Sequence, residues 1–228
     1  MKAPLRTFLG LWVPVLFSLV AEPLTGLVDT AFVARLGADT LAALGVGTMA
    51  LSSVFWVFNF LGVGSQTEIS QALGRGEMAR GMRIASLAMG LALAAGLFLM
   101  ILAWLISASV ANAMGAAGDV HRQAVVYIQW RACGAPAVLL TLTAFGVLYG
   151  LQDMRMPLWI ALGVNAMNIV LDWMLIFGWG PLPALGIAGA AAASAVSQWL
   201  GAGWAVYRIK RRIGFSRRIQ IGDVRRLL

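Results

Sequence analysis

The sequence predicts an all-α membrane protein of six transmembrane helices with both termini in the cytoplasm. Three observations predict it. Of 228 residues, 61% are hydrophobic and only 11% are charged, whereas a soluble domain is roughly half apolar and about a quarter charged. The apolar residues gather into six segments, each long enough to cross about 30 Å of hydrocarbon at about 1.5 Å per residue. Lysine and arginine fall unequally at the two ends of those segments, which sets an orientation.

The segments run over about 7–34, 41–70, 84–110, 123–149, 157–178 and 186–207. The first follows Lys2 and Arg6 and looks like a signal peptide. It lacks an A-x-A-like cleavage site and its apolar run is too long, so it reads as a retained helix. "RLGADT" leads into the second, with Asp39 or Thr40 positioned to cap it. "ALGRGEMARGMR" and "MGAAGDVHR" punctuate the next boundaries, and "LQDMRMP" delivers Pro157 to the first turn of the fifth segment. After "GWGPLPALG", the sixth carries small residues at four-residue spacing in "GIAGAAAASAVSQWLGAG", a face for close helix approach. Period-2 alternation is absent, which argues against an outer-membrane barrel. Trp104, Trp159 and Trp179 fall near predicted ends, where indole rings favour the interface.

With the amino terminus in the cytoplasm, fourteen of the 17 basic residues lie on the cytoplasmic side. Arg35 and Arg122 lie outside, and Arg131 falls within the fourth segment. The expected organisation is a six-helix transmembrane lobe over 1–207 and a basic cytoplasmic tail or linker over 208–228. The net charge of +8 is thus accounted for by orientation, without nucleic acid as a partner. The tail "RIKRRIGFSRR" reads as a solvated linker, with anionic membrane lipid as the other reading. One cysteine, Cys133, and one histidine, His121, leave no disulfide and too few ligands for zinc. No HExxH or GxSxG motif is present and His121 is expected in an outer loop, so neither an enzyme nor a cofactor is expected.

Against this apolar background five polar residues stand out: Glu22, Asp29, Arg131, Asn168 and Asp172. An ionised group near the bilayer centre costs about 2.5–3.5 kcal/mol on insertion scales. Counting helical rise from the nearest outer boundary sets Asp29 about 12 Å deep, Asp172 about 9 Å and Arg131 about 18 Å. These depths let the three meet. Asn165, Asn168 and Asp172 share one helical face, as do Glu22 and Asp29. Carboxylates on the first span and an Asn/Asp stripe on the fifth are expected to enclose a polar chamber for a proton or a sodium ion, the latter held by Asp29, Asn168 and Asp172. Three competing readings are a structural ion pair between Arg131 and one acid, a protonated Glu22 in a packing crevice, and an Asp172 that reaches the outer interface. Pro14 and Pro23 favour kinks in the first helix.

"AEPLTGLVDTAFVARLGADTLAALGVG", "QALGRGEMARG", "YGLQDMRMPL" and "NIVLDWMLIFG" together resemble the MATE (multidrug and toxic compound extrusion) transporters in their DinF-like branch, over essentially the whole chain. The resemblance implies an antiporter of the cytoplasmic (inner) membrane that exports small, amphipathic, often cationic organic substrates, driven by H+ or Na+ influx. It implies ion-binding roles for Asp29, Asn168 and Asp172, and a hinge at Pro14. Ala190 falls about where some members carry a hydroxyl, with Ser194 and Ser197 as candidate replacements. Members have two six-helix lobes; one is present here, so the second is expected as a missing half, a partner chain or a second copy, truncation being the favoured expectation. The alternatives are a lipid-linked sugar flippase, which needs a large basic cavity, and an inert assembly module.

Overall fold

Glycines set most of the boundaries and crossings. The structure is a computed structural model that describes Leu16, Pro23 and residues 25–216. In chain order the helices are α1 (Thr25–Ala34), α2 (Ala38–Val57), α3 (Asn59–Gly74), α4 (Met78–Ala113), α5 (Gly118–Ala132), α6 (Ala135–Gly150), α7 (Arg155–Phe177) and α8 (Ile187–Arg212). Among the described residues, extended structure is confined to an isolated bridge between Trp179 and Leu182.

By length and composition, Ala38–Gly74, Met78–Ala113 and Arg155–Phe177 can each cross a membrane. The pair α5 and α6, bent by 50° at Cys133–Gly134, makes a fourth if it is one span. The segment expected at 186–207 falls in α8, which continues to Arg212 and so makes the first residues of the expected 208–228 tail helical, with Lys210, Arg211 and Arg212 in its last turn; α8 is not among the helices long and apolar enough to cross a membrane.

Several boundaries differ from expectation. Gly37, not Asp39 or Thr40, occupies the N-cap of α2, and no side chain caps that helix. The φ of Gly37 is 117°, which glycine alone adopts without strain, so the turn closes early and Asp39 falls inside the first helical turn. Gly76 (φ 74°) and Gly115 (φ 81°) likewise stop α3 and α4 abruptly. The loops are therefore short. Arg80 and Arg83 lie on α4, and His121 and Arg122 lie on α5 rather than in an outer loop.

The bent pair α5–α6 forms the middle of the bundle: α6 packs on α3, α4 and α8, and α5 on α2, α4 and α8. In a bilayer, apolar burial gives little drive for helix association, and close packing carries the energy. Here glycine permits it. A Cβ on Gly146 would run into the Gly62 backbone, and one on Gly150 into the Gln66 carbonyl. Gly96 admits the Pro136 backbone against α4. The small-residue face of α8 packs on α7 through Gly201, which sits on Val164. Pro136 is in the first turn of α6, where its missing N–H is tolerated. At the bend, the Trp199 indole N–H of α8 donates to the Cys133 carbonyl at 3.0 Å.

Polar fastenings lie near the helix ends. Arg80 bridges Glu68 at 2.8 Å and Glu77 at 3.1 Å. Asp153 accepts from the Met156 N–H at 3.2 Å and pairs with Arg212 at 2.7 Å, tying the start of α7 to the end of α8. The loop after α7 folds back so that the Leu185 and Gly186 N–H groups cap the Leu175 and Ile176 carbonyls, which a helix end otherwise leaves unpaired.

Candidate functional site

The site is built where α1 meets α7. Phe32 meets Phe177 edge-on with ring centroids 5.9 Å apart, and Val33 and Ile176 share one buried cluster with Leu44, Tyr127, Ile187 and Ala190. Four residues before Val33 is Asp29, and four before Ile176 is Asp172. Residues four apart lie on one helical face about 6 Å along the axis. The packing that docks the two helices therefore also brings the two acids into register. Their carboxyl groups lie within hydrogen-bonding reach of each other.

Asp172 is enclosed by protein, and Asp29 only in part. Asp172 is 0% exposed and Asn168, one turn earlier on α7, is 3% exposed. Asp29 is half-buried and its Oδ1 is shielded from solvent. The reading of Asp172 as a group reaching the outer interface does not hold, because its side chain is wholly buried. Asn165 is half-buried further back on α7. Glu22 and Pro14 lie outside the described residues.

From α5 comes Tyr127, 4% exposed, its ring lying against α2 where Gly47 leaves room. Its hydroxyl is 3.3 Å from Thr48 Oγ1. One turn on, Arg131 is half-buried and its charge acts on both Asp29 and Tyr127. It forms no ion pair within 4.0 Å among the described residues. The structural ion pair considered from the sequence is therefore not what Arg131 makes. Asp29 Oδ1, both Asp172 oxygens, Asn168 Nδ2 and Arg131 Nη1 are all buried without a hydrogen-bond partner among the described residues.

Sequence reasoning did not single out Tyr127, Thr48 or Glu68. Tyr127 carried a signal, since it stands four residues before Arg131 on the buried stripe of α5. Thr48 carried none, because a lone threonine in an apolar helix usually bonds its own backbone. Of the two serines considered as replacement hydroxyls, Ser197 donates to the Ser194 carbonyl at 3.0 Å. Neither bonds the acids, whose buried oxygens are unpartnered. Ala190, 2% exposed, brings only a methyl group to the wall.

The donor set consists of two carboxyls and an amide, with a phenol and a guanidinium close by. Such groups bind and release protons or hard cations held by oxygen. Among the described residues no group of three or more His, Cys, Asp or Glu could hold a metal ion.

A helical bundle of apolar spans with carboxyl groups facing one another in its interior defines the class of a membrane transporter lobe. The chain belongs to the MatE family, whose model matches residues 14–174; its members are secondary transporters and not enzymes. It is 32% identical over 194 residues to the DNA damage-inducible protein F of Escherichia coli, covering 83% of this chain and 41% of that protein. It is 30% identical over 235 residues to Protein DETOXIFICATION 44, chloroplastic, of Arabidopsis thaliana, covering 94% and 43%. A probable multidrug resistance protein NorM of Deinococcus radiodurans is 31% identical over 215 residues, covering 94% and 47%. The chain thus spans about half the length of these relatives. The outward-facing structure of a multidrug resistance MATE family transporter of the MOP superfamily superposes with a TM-score of 0.87 at 24% identity, covering 96% of this chain and 49% of that one. The fold is that of half such a transporter.

Proposed function

We propose that this chain forms the amino-terminal lobe of a cation-coupled antiporter that exports amphipathic, often cationic organic compounds across the cytoplasmic membrane in exchange for H+ or Na+. The observation that carries this is the meeting of Asp29 and Asp172 inside the bundle. Two carboxylates in contact in a low-dielectric interior repel strongly, so the pair is stable only with a proton or a cation between them. Coupling ion and cationic substrate then compete for the same negative charge.

The lobe spans 1–207 with 208–228 as its cytoplasmic linker, both termini cytoplasmic, and works against a second six-helix lobe. An ion arriving from outside binds Asp29 and Asp172, with the Asn168 amide oxygen as a further ligand if the ion is sodium. The filled site no longer attracts a cationic substrate, which leaves to the exterior. Ion release to the cytoplasm restores the negative charge and the affinity. Pro14 precedes Asp29 in the first apolar segment of the sequence, and on this reading the change in charge at Asp29 is passed to a hinge there. Asn165, on the same face of α7 as Asn168 and Asp172, belongs to the ion-binding set, with Glu22 and Arg131 as accessory polar groups.

The test is ethidium efflux from cells that express the intact protein. Asp29→Asn is expected to reduce export to the level of cells lacking the protein. Export equal to wild type removes Asp29 from the coupling site and the reading with it.

A further inference from the structure

One end of the lobe carries more positive charge than its own acids neutralise. There α3 ends, α4 and α7 begin and α8 finishes. The Ser216 N–H donates to Ser86 Oγ of α4 at 2.8 Å, and Arg212 of α8 pairs with Asp153 at 2.7 Å. At this end Glu68 and Glu77 are taken by Arg80, and Asp153 by Arg212. Arg155, Arg208 and Arg211 form no ion pair within 4.0 Å among the described residues.

The packing of α7 on α8 gathers these three arginines. The helices run antiparallel, with Gly201 on Val164, the Trp204 ring over Gly163, and Arg212 reaching Asp153. In that register Arg155 and Trp159 of α7 lie level with the turn of α8 that holds Tyr207, Arg208 and Arg211. Arg155, Trp159 and Gly163 share one face of α7, and Trp204, Arg208 and Arg211 share one face of α8. Trp159, Trp204 and Tyr207 are exposed despite their large rings. Arg155 and Arg211 are exposed and Arg208 is half-buried. The seam is therefore aromatic toward the middle of the helices and basic at their ends.

Arg211 is also held in place. Its Nε donates to the Tyr207 hydroxyl at 3.0 Å, and its Cζ stands 5.3 Å from the Tyr207 ring centroid. Ordering a long exposed side chain on binding costs conformational entropy, and here part of that ordering is already present. The Nη donors face outward for a ligand, and a guanidinium suits phosphate oxygens because it donates two parallel hydrogen bonds.

We propose that this seam binds one anionic phospholipid of the leaflet that the basic end faces, with Arg155, Arg208 and Arg211 around its phosphate. Trp159, Trp204 and Tyr207 lie against the glycerol and the first acyl carbons, the level at which such rings settle. Charge complementarity selects the lipid. Phosphatidylglycerol brings a net negative charge, whereas phosphatidylcholine adds an ammonium group that three arginines repel. The site is on the outer wall of α7 and α8 and does not depend on the acid pair.

The experiment is native mass spectrometry of the purified full chain in detergent, with phosphatidylglycerol and phosphatidylcholine of identical acyl chains added in equal amounts. Wild type is expected to retain phosphatidylglycerol at least about fivefold over phosphatidylcholine, the gain for one arginine near an anionic surface. Arg211→Gln is expected to lower that ratio at least about twofold, and Arg155→Gln, Arg208→Gln and Arg211→Gln together to bring it to about one. A control that removes the same charge elsewhere, Arg35→Gln with Arg75→Gln and Arg122→Gln, is expected to keep the wild-type ratio. Glycerol phosphate in about tenfold excess is expected to leave the lipid bound, because the aromatic half of the seam holds only a lipid. A wild-type ratio near one overturns the proposal whether or not the variants fold. So do a control that loses the preference as fully as the triple variant, and displacement of the lipid by glycerol phosphate.

Discussion

Asp172→Asn tests directly whether the acid pair is kept for function at the expense of stability. Asp172 is 0% exposed, and neither of its carboxyl oxygens has a hydrogen-bond partner among the described residues. It faces Asp29, a second acceptor. Asparagine is nearly isosteric and replaces one acceptor oxygen with an NH2 donor. That donor can bond Asp29 directly, so that a contact which needs a shared proton or a cation becomes a charge-assisted hydrogen bond that needs neither, and the gain is read at a pH and salt where the native pair holds no proton or cation. Leaving a buried polar group unsatisfied costs about 1–3 kcal/mol, so the substitution is expected to stabilise the lobe by about that amount. At about 2–4 °C per kcal/mol for a chain of this size, Tm rises by roughly 2–12 °C. The assay is thermal unfolding of both purified proteins in the same detergent and at the same scan rate, because membrane proteins unfold irreversibly. The stabilised variant is expected to have lost coupled export. A lower Tm for Asp172→Asn would refute the reasoning, since it would mean that the native pair is already well satisfied.

Three further outcomes follow from the packing. Gly146→Val drives a branched side chain into the Gly62 backbone; overpacking typically costs about 1–3 kcal/mol, and with backbone on both sides the upper end is expected, read as loss of folded protein in fluorescence-detected size exclusion. Glu68→Gln removes the 2.8 Å partner of Arg80; the pair is only slightly exposed, so a loss of about 1–2 kcal/mol, between the exposed and fully buried limits, is expected in thermal unfolding. Trp199→Phe keeps an aromatic ring but deletes the donor to the Cys133 carbonyl at the α5–α6 bend; about 1 kcal/mol is lost, and faster amide exchange confined to residues around the bend is the expected hydrogen-exchange signature.

The legibility of this protein from sequence varied with the length scale of the physics. Hydrocarbon thickness and backbone hydrogen bonding demand long apolar helices, so composition and segment length led to a helical membrane fold before any contact was known. Helical periodicity put Asn165, Asn168 and Asp172 on one face. Exact boundaries were harder. Gly37, Gly76 and Gly115 reverse the chain in fewer residues than their polar neighbourhoods suggested, and Asp39 and Thr40 resemble caps although glycine takes that position.

The sequence by itself determined that acids are embedded in apolar spans, because an ionisable residue there is visible against its neighbours whatever the fold. It also set an expected depth for each, through the fixed rise of a helix. Only the tertiary structure decided who meets whom. Rotation about each helix axis is set by packing, here Val33 and Phe32 of α1 against Ile176 and Phe177 of α7, and that packing turns Asp29 toward Asp172. The same packing leaves Arg131 beside Gly134 and apart from both acids. A sequence records which charges sit among apolar residues, while the side chains that lock neighbouring helices decide which of those charges come within reach of one another.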